Sequence, residues 1–176
     1  MTLINFFLIL GNIATFLLLL FTICQYLKNN RDKLKREERN QAEKISTWII
    51  SKRNNEYAFG NISNQSKTPI YEVIITLVPF QGSGDLTGKN TPEIYREFFS
   101  VIPPGHYYIK IKNGWSGMSF HPNLSVAFID AAGINWKREG DGYLHKINSK
   151  PPEYYNISRP LSWEFPSEMS DIEISN

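Results

Sequence analysis

One cysteine, Cys24, stands in the whole chain of 176 residues, so no internal disulfide can close and no Cys-based zinc site can be assembled, as suits a reducing compartment. Charge is missing from residues 3–23, LINFFLILGNIATFLLLLFTI, which hold no Asp, Glu, Lys or Arg. The marks of a cleaved leader are missing too: no basic residue precedes the run, and bulky Ile23 fills the position ahead of Cys24 that lipoprotein processing needs small. No Gly-Lys-Ser/Thr ending follows the glycines of residues 81–90, which excludes a phosphate-cradling loop of that kind. His106, His121 and His145 are the only histidines, none at metal-ligand spacing to another. Ser116, Ser119 and Ser125 lack the context of a nucleophile elbow. The sequence therefore names no catalytic residue, no cofactor and no metal ligand, and an enzyme is not the expected class.

What is present first is a membrane span. At about 1.5 Å rise per residue, residues 3–23 as a helix reach roughly 31 Å, enough for a bilayer core of about 30 Å. Fifteen of these residues are Leu, Ile or Phe; their insertion is worth roughly 7 kcal/mol, against which Asn5, Asn12, Thr15 and Thr22 subtract only part. A buried core helix, the alternative, would show a polar face, and this stretch has none. Residues 1–24 are read as an uncleaved anchor. Between Lys28 and Arg53 stand nine basic and four acidic residues, with no charged side chain ahead of the span. The positive-inside rule then predicts a single-pass protein of the cell membrane, N-terminus outside and C-terminal bulk in the cytoplasm. Gly11 and Thr15, a small-xxx-small pair beside Asn12, offer a surface for homo-oligomer formation through the helix.

Residues 25–44 lack Gly and Pro and are built from good helix formers. They are expected to continue the helix as a charged juxtamembrane stalk, with Lys28, Arg31, Lys33, Lys35, Arg36 and Arg39 as candidate contacts for anionic lipid. From residue 45 the pattern changes to β-branched and aromatic runs separated by turn clusters. Strands are predicted at residues 46–50, 57–62, 70–78, 95–102, 106–112, 124–130, 134–138 and 143–147, with Pro103-Pro104-Gly105 closing a hairpin between the fourth and fifth. About eight short strands and no convincing helix predict a mainly β domain, residues 45–165, folded as an antiparallel, immunoglobulin-like β-sandwich with a small open barrel as the alternative. Trp48, Tyr71, Phe99, Tyr107, Phe128 and Trp136 fall on positions expected to face its core. The Pro-rich segment from Asn148 is expected to wrap the domain and fray beyond Glu164, leaving residues 166–176 as a flexible tail.

Residues 54–176 carry ten basic and thirteen acidic side chains, a mildly acidic balance that argues against nucleic acid as a partner. The stretch Gly114-Trp115-Ser116-Gly117-Met118 is the least bland of the loops, and Trp115 and Met118 are candidate contacts for a protein partner, Trp being frequent at binding hot spots.

Four segments carry a resemblance. Residues 61–73, NISNQSKTPIYEV, the VIPPG of 101–105 with GWSGM of 114–118, and AFIDAAGINWKR of 127–138 together resemble a family of small bacterial proteins, often membrane-anchored, to which no activity is attached. The resemblance runs from about Arg36 to Trp163; it implies a bacterial cytoplasmic-face domain and transfers no site residue. The function expected is a membrane-tethered protein-interaction or sensing module with an unidentified protein partner. The alternative is a small anchored effector or accessory factor in bacterial conflict, such as phage resistance.

Overall fold

The computed structural model describes residues 3–52, 57–81, 85, 87–112 and 121–168. The elements run α1 (Leu3–Glu43), β1 (Ile45–Lys52), β2 (Tyr57–Asn64), β3 (Ile70–Gln81), β4 (Arg96–Ile102), β5 (Gly105–Lys112), β6 (His121–Ile129), β7 (Asn135–Arg138), β8 (Leu144–Lys146), α2 (Pro151–Tyr154) and β9 (Ser167–Glu168), with one 3-10 turn at Glu93–Tyr95. The chain divides into two compact units, Met1–Asn40 and Gln41–Asn176.

α1 is long and apolar enough to cross a membrane, and from residue 11 to residue 40 its side chains are exposed all round. Two of its hydroxyls are satisfied within the helix: that of Thr15 donates to the Gly11 carbonyl and that of Thr22 to the Leu18 carbonyl, each at 2.8 Å. This local bonding is what an apolar solvent demands of a hydroxyl.

The second unit is mainly β. β1, β2, β5 and β9 form one antiparallel sheet in that order; β4, β3, β6, β7 and β8 form another. One core lies between them, drawing Ala58, Ile62, Ile109 and Ile111 from the first sheet and Val73, Ile75, Leu77, Leu124, Val126, Phe128 and Trp136 from the second. Each such aliphatic or phenyl side chain contributes about 1.5–3 kcal/mol on full burial. The sheets approach closely where β2 passes β6: a Cβ at Gly60 would overlap the Leu124 side chain and come within 2.9 Å of the Trp48 carbonyl.

A smaller cluster covers the other face of the five-stranded sheet. Ile74, Phe98 and Ala127 there pack with Ile147 and Tyr155, flanked by Tyr154, Ile157, Leu161 and Trp163. The segment after β8 is therefore a strap, as its prolines led one to expect. It does not end at Glu164: the Glu164 N–H donates to the Phe98 carbonyl at 2.7 Å, and β9 then pairs with Tyr107 and Tyr108 of β5.

Several expectations are corrected. Pro103-Pro104-Gly105 does not close a hairpin, because β4 belongs to one sheet and β5 to the other. Two residues lacking an N–H cannot extend a ladder, and Gly105 at φ +146° turns the chain across the core instead. Tyr71 is exposed, since a bulge centred on Glu72 (φ +44°) shifts the alternation of β3 so that Ile70 and Val73 both face inward. Trp48 is exposed too, whereas Phe99, Tyr107, Phe128 and Trp136 are buried as anticipated. The turns at residues 131–133 and 140–142 do connect antiparallel neighbours, β6 to β7 and β7 to β8.

The AFIDAAGINWKR segment is the structural centre of the unit. The Asp130 carboxylate accepts the N–H groups of Ala132 (2.9 Å) and Ile134 (2.8 Å) and the Trp136 indole N–H (2.8 Å). Arg138 reaches the last turn of α1, donating to the Ala42 and Glu43 carbonyls at 3.2 Å each and to the Ile45 carbonyl at 2.7 Å. A cation placed there satisfies carbonyls that a helix end leaves without partners and complements its dipole. Gln41 completes the joint, its amide donating to the Pro69 carbonyl at 3.0 Å and accepting the Ala131 N–H at 3.0 Å.

Candidate functional site

The four-stranded sheet has an inner face that builds the core and an outer face that no core cluster includes. Strict alternation sets the outer face. On β2 it presents Tyr57, Phe59, Asn61 and Ser63 between the inward Ala58, Gly60 and Ile62; on β5 it presents His106, Tyr108, Lys110 and Lys112 between the inward Tyr107, Ile109 and Ile111. Register pairs Trp48 of β1 with Asn61, and Asn61 with Tyr108. The Asn61 amide is thereby walled by an indole on one side and a phenol on the other, and is only 2% exposed.

Trp48 is 40% exposed and Ile50, the extra residue of a bulge in β1, 45%. The Phe59 and Tyr108 rings lie 5.5 Å apart, inclined at 32°, and the Lys110 ammonium sits 4.2 Å above the Tyr57 ring. Aromatic planes and cations thus share one surface. Among the described side chains on this face there is no carboxylate. Three acids lie on the other sheet and its turns, Glu72 beside Lys150 and Arg159, Asp130 in its turn and Glu139 beside Lys137, while Glu168 stands on β9 of this one.

A second polar cluster lies beneath the strap, and it is closed. Lys137 is fully buried; its ammonium donates to the Thr87 carbonyl at 2.6 Å and to Glu139 at 2.8 Å, 5.1 Å from the Tyr154 ring centre. Arg96 donates to the Gly88 carbonyl at 2.8 Å and lies 4.6 Å from the Tyr155 ring centre. The Tyr155 hydroxyl adjoins those of Thr76 and Ser125, although none of the three oxygens has a partner of good geometry, and burial pushes the Tyr155 phenol far above its usual range. These groups hold Thr87, Gly88 and the strap to the sheet.

A carboxyl pair fastens the strap further along. Burial and the neighbouring Glu164, to which it is hydrogen-bonded, push Glu97 up to about 7 from 4.5. An acid whose pKa rises on folding holds its proton more tightly in the folded chain. Its contribution is therefore full below 4.5 and is lost as pH climbs through about 7. The thermal transition of the detergent-solubilised chain is expected to fall between about pH 5 and about pH 7.5, and Glu97→Gln to flatten that fall. An unchanged slope in the variant would assign the dependence elsewhere.

The residues singled out from sequence are dispersed. Lys28, Arg31, Lys33, Lys35, Arg36 and Arg39 all lie exposed on α1, Lys33 within 3.8 Å of Glu37. Trp115 and Met118, like Ser116 and Ser119, fall outside the described residues. His106, His121 and His145 stand on three different strands, and among the described residues no His, Cys, Asp or Glu cluster is arranged to hold a metal. The outer face itself went unread, though its signal was in the sequence: the odd positions of 57–63 and the even positions of 106–112 are aromatic or polar while the intervening ones, Tyr107 apart, are aliphatic or small. Compared with known protein families, with curated proteins and with solved structures, the chain matches none.

Proposed function

We propose that this chain is a single-pass, membrane-tethered recognition module whose β domain engages a partner through the outer face of the β1-β2-β5 sheet. α1 supplies the anchor, its charged residues 25–43 a stalk, and the excess of bases between Lys28 and Arg53 an orientation with the β domain in the cytoplasm. Membership in a family of small membrane-anchored bacterial proteins belongs to the same reading. So does an immunoglobulin-like fold: the order β1-β2-β5 against β4-β3-β6-β7 corresponds to strands A-B-E against C′-C-F-G of that architecture.

The observation that carries the reading is the contrast between the two sheets. One is covered on both faces, by the core and by the strap; on the outer face of the other, among the described residues, Trp48, Lys110 and Lys112 are exposed and Phe59 and Tyr108 half-buried, none of them part of either cluster. Monomeric proteins seldom leave such a surface without use.

Two measurements test it. A reporter fused after Asn176 is expected on the cytoplasmic side with the chain wholly in the membrane fraction; an intact soluble chain, or a reporter on the far side, would overturn the anchoring. A photo-crosslinking residue at position 108 is expected to capture a partner that the same residue at position 153, beyond the strap, does not. Equal capture, or none from position 108, would remove the face as the recognition surface.

A further inference from the structure

We infer that the partner of this face is a short segment of single-stranded nucleic acid, a proposal that rests on the recognition reading above. The argument starts from which chemical groups the face offers together. Trp48, Phe59 and Tyr108 bring rings to it, the last two half-buried, and Lys110 and Lys112 bring positive charge, Lys110 lying over the Tyr57 ring, with His106 at the far end of β5. An acidic peptide would answer the lysines and leave the rings unmatched; an apolar partner would do the reverse. A single strand carries planar bases and a phosphate at every step, so it answers both at once. Open antiparallel sheets that stack two or three bases on aromatic side chains do so with this combination of groups.

Dimensions agree. Adjacent strands lie about 4.8 Å apart, so Trp48 and Tyr108, two strands apart across Asn61, are separated by about 10 Å, the room of two to three bases. The Lys110 side chain is steadied over the Tyr57 ring at 4.2 Å, which holds its charge beside the stacking rings.

The mildly acidic average of residues 54–176 had argued against nucleic acid. That average is not the local balance: Glu72, Glu97, Asp130 and Glu139 belong to the five-stranded sheet and its turns, whereas on β1, β2 and β5 the described outward positions bear lysines and no carboxylate, the sheet's one described acid being Glu168 of β9. Local potential, rather than net charge, decides where a polyanion binds.

The experiment is fluorescence anisotropy of labelled oligo-deoxythymidine and oligo-uridine, each about 12 nucleotides long, titrated with the detergent-solubilised full chain. Binding is expected to weaken from about 50 to about 200 mM salt. Phe59→Leu and Tyr108→Leu, which keep an apolar side chain, are each expected to weaken binding by about 5- to 100-fold with an unchanged thermal transition. The double replacement Lys110→Gln with Lys112→Gln is expected to make the salt dependence shallower, by roughly 0.7 in logarithmic slope for each phosphate that is no longer neutralised.

The bases of α1 remain in every variant, so binding that ignores Phe59 and Tyr108 belongs to them and overturns the proposal, as does no binding at all. A polyglutamate peptide of equal length that binds as tightly, and loses affinity in the same variants, would assign the face to an acidic protein instead. If oligonucleotides fail while position 108 still captures a protein, the recognition surface stands and only its partner changes; if both fail, both readings fall.

Discussion

Replacing Lys137 by alanine is expected to lower the unfolding free energy of the β domain by about 3–5 kcal/mol, a large part of what a domain of this size possesses. The ammonium has no access to solvent and is held by Glu139, the Thr87 carbonyl and the Tyr154 ring. Removing it leaves the Glu139 carboxylate, 17% exposed, with His145 at 3.7 Å but, among the described residues, no other ammonium or guanidinium ion-paired to it. It also frees the Thr87 carbonyl from the sheet. The favourable interaction of such a pair is nearly cancelled by its desolvation, so removing both charges costs far less than removing one. Lys137→Met combined with Glu139→Gln is accordingly expected to cost only about 1 kcal/mol, much less than Lys137→Ala. Thermal and denaturant unfolding of the detergent-solubilised chain, followed by tryptophan fluorescence, measures both. A loss below about 1 kcal/mol in Lys137→Ala would show that the ammonium is not the tie between strap and sheet.

Asp130→Ala is expected to cost about 2–4 kcal/mol by the same measurement. Three N–H groups converge on this carboxylate, and one of them, the Trp136 indole, belongs to a side chain only 1% exposed. With the acceptor gone, that indole N–H stays buried without a partner, and this accounts for most of the loss. The N–H of Ala132 is at an exposed turn and can turn to water. Asp141 provides the comparison: it sits in an exposed turn and accepts one N–H, that of Tyr143, at 2.8 Å. Asp141→Ala is expected to cost about 1 kcal/mol or less. Equal losses at the two positions would mean that the Asp130 network is dispensable.

Much of the architecture was written locally. The uncharged run of residues 3–23 is a helix in the structure, as its composition predicted, and the period-two patterns around residues 57–63, 106–112 and 124–130 are strands. The turns at residues 131–133 and 140–142 were equally readable, because Gly133 at φ +80° and Gly142 at φ +92° do there what other residues do poorly. The strap was foreseen in part: its prolines were expected to exclude regular structure, yet Pro151 and Pro152 open the short helix α2, and nothing local said that Glu164 would bond to β4 or that Ser167–Glu168 would join β5.

The candidate site illustrates the same division. Each strand's two faces were legible, but Trp48 and Tyr71 were assigned to the core and both are exposed. In the case of Tyr71 a bulge altered the phase; in that of Trp48, the face of β1 chosen for the core was fixed by Ile45, Ile49 and the Thr47 hydroxyl, which bonds to the Leu124 carbonyl at 3.3 Å.

By itself the sequence determined the long apolar helix, the change from helix to strand near residue 45, the turn chemistry and the alternation of side chains, since each follows from groups within a few residues of one another. Only the tertiary structure decided that the prolines after β4 carry the chain from one sheet to the other, that the strap covers one outer face, and that aromatic rings and lysines from three strands meet on the other. These are pairings between residues up to about a hundred positions apart, and their selection depends on the whole set of strands competing to bury apolar area together.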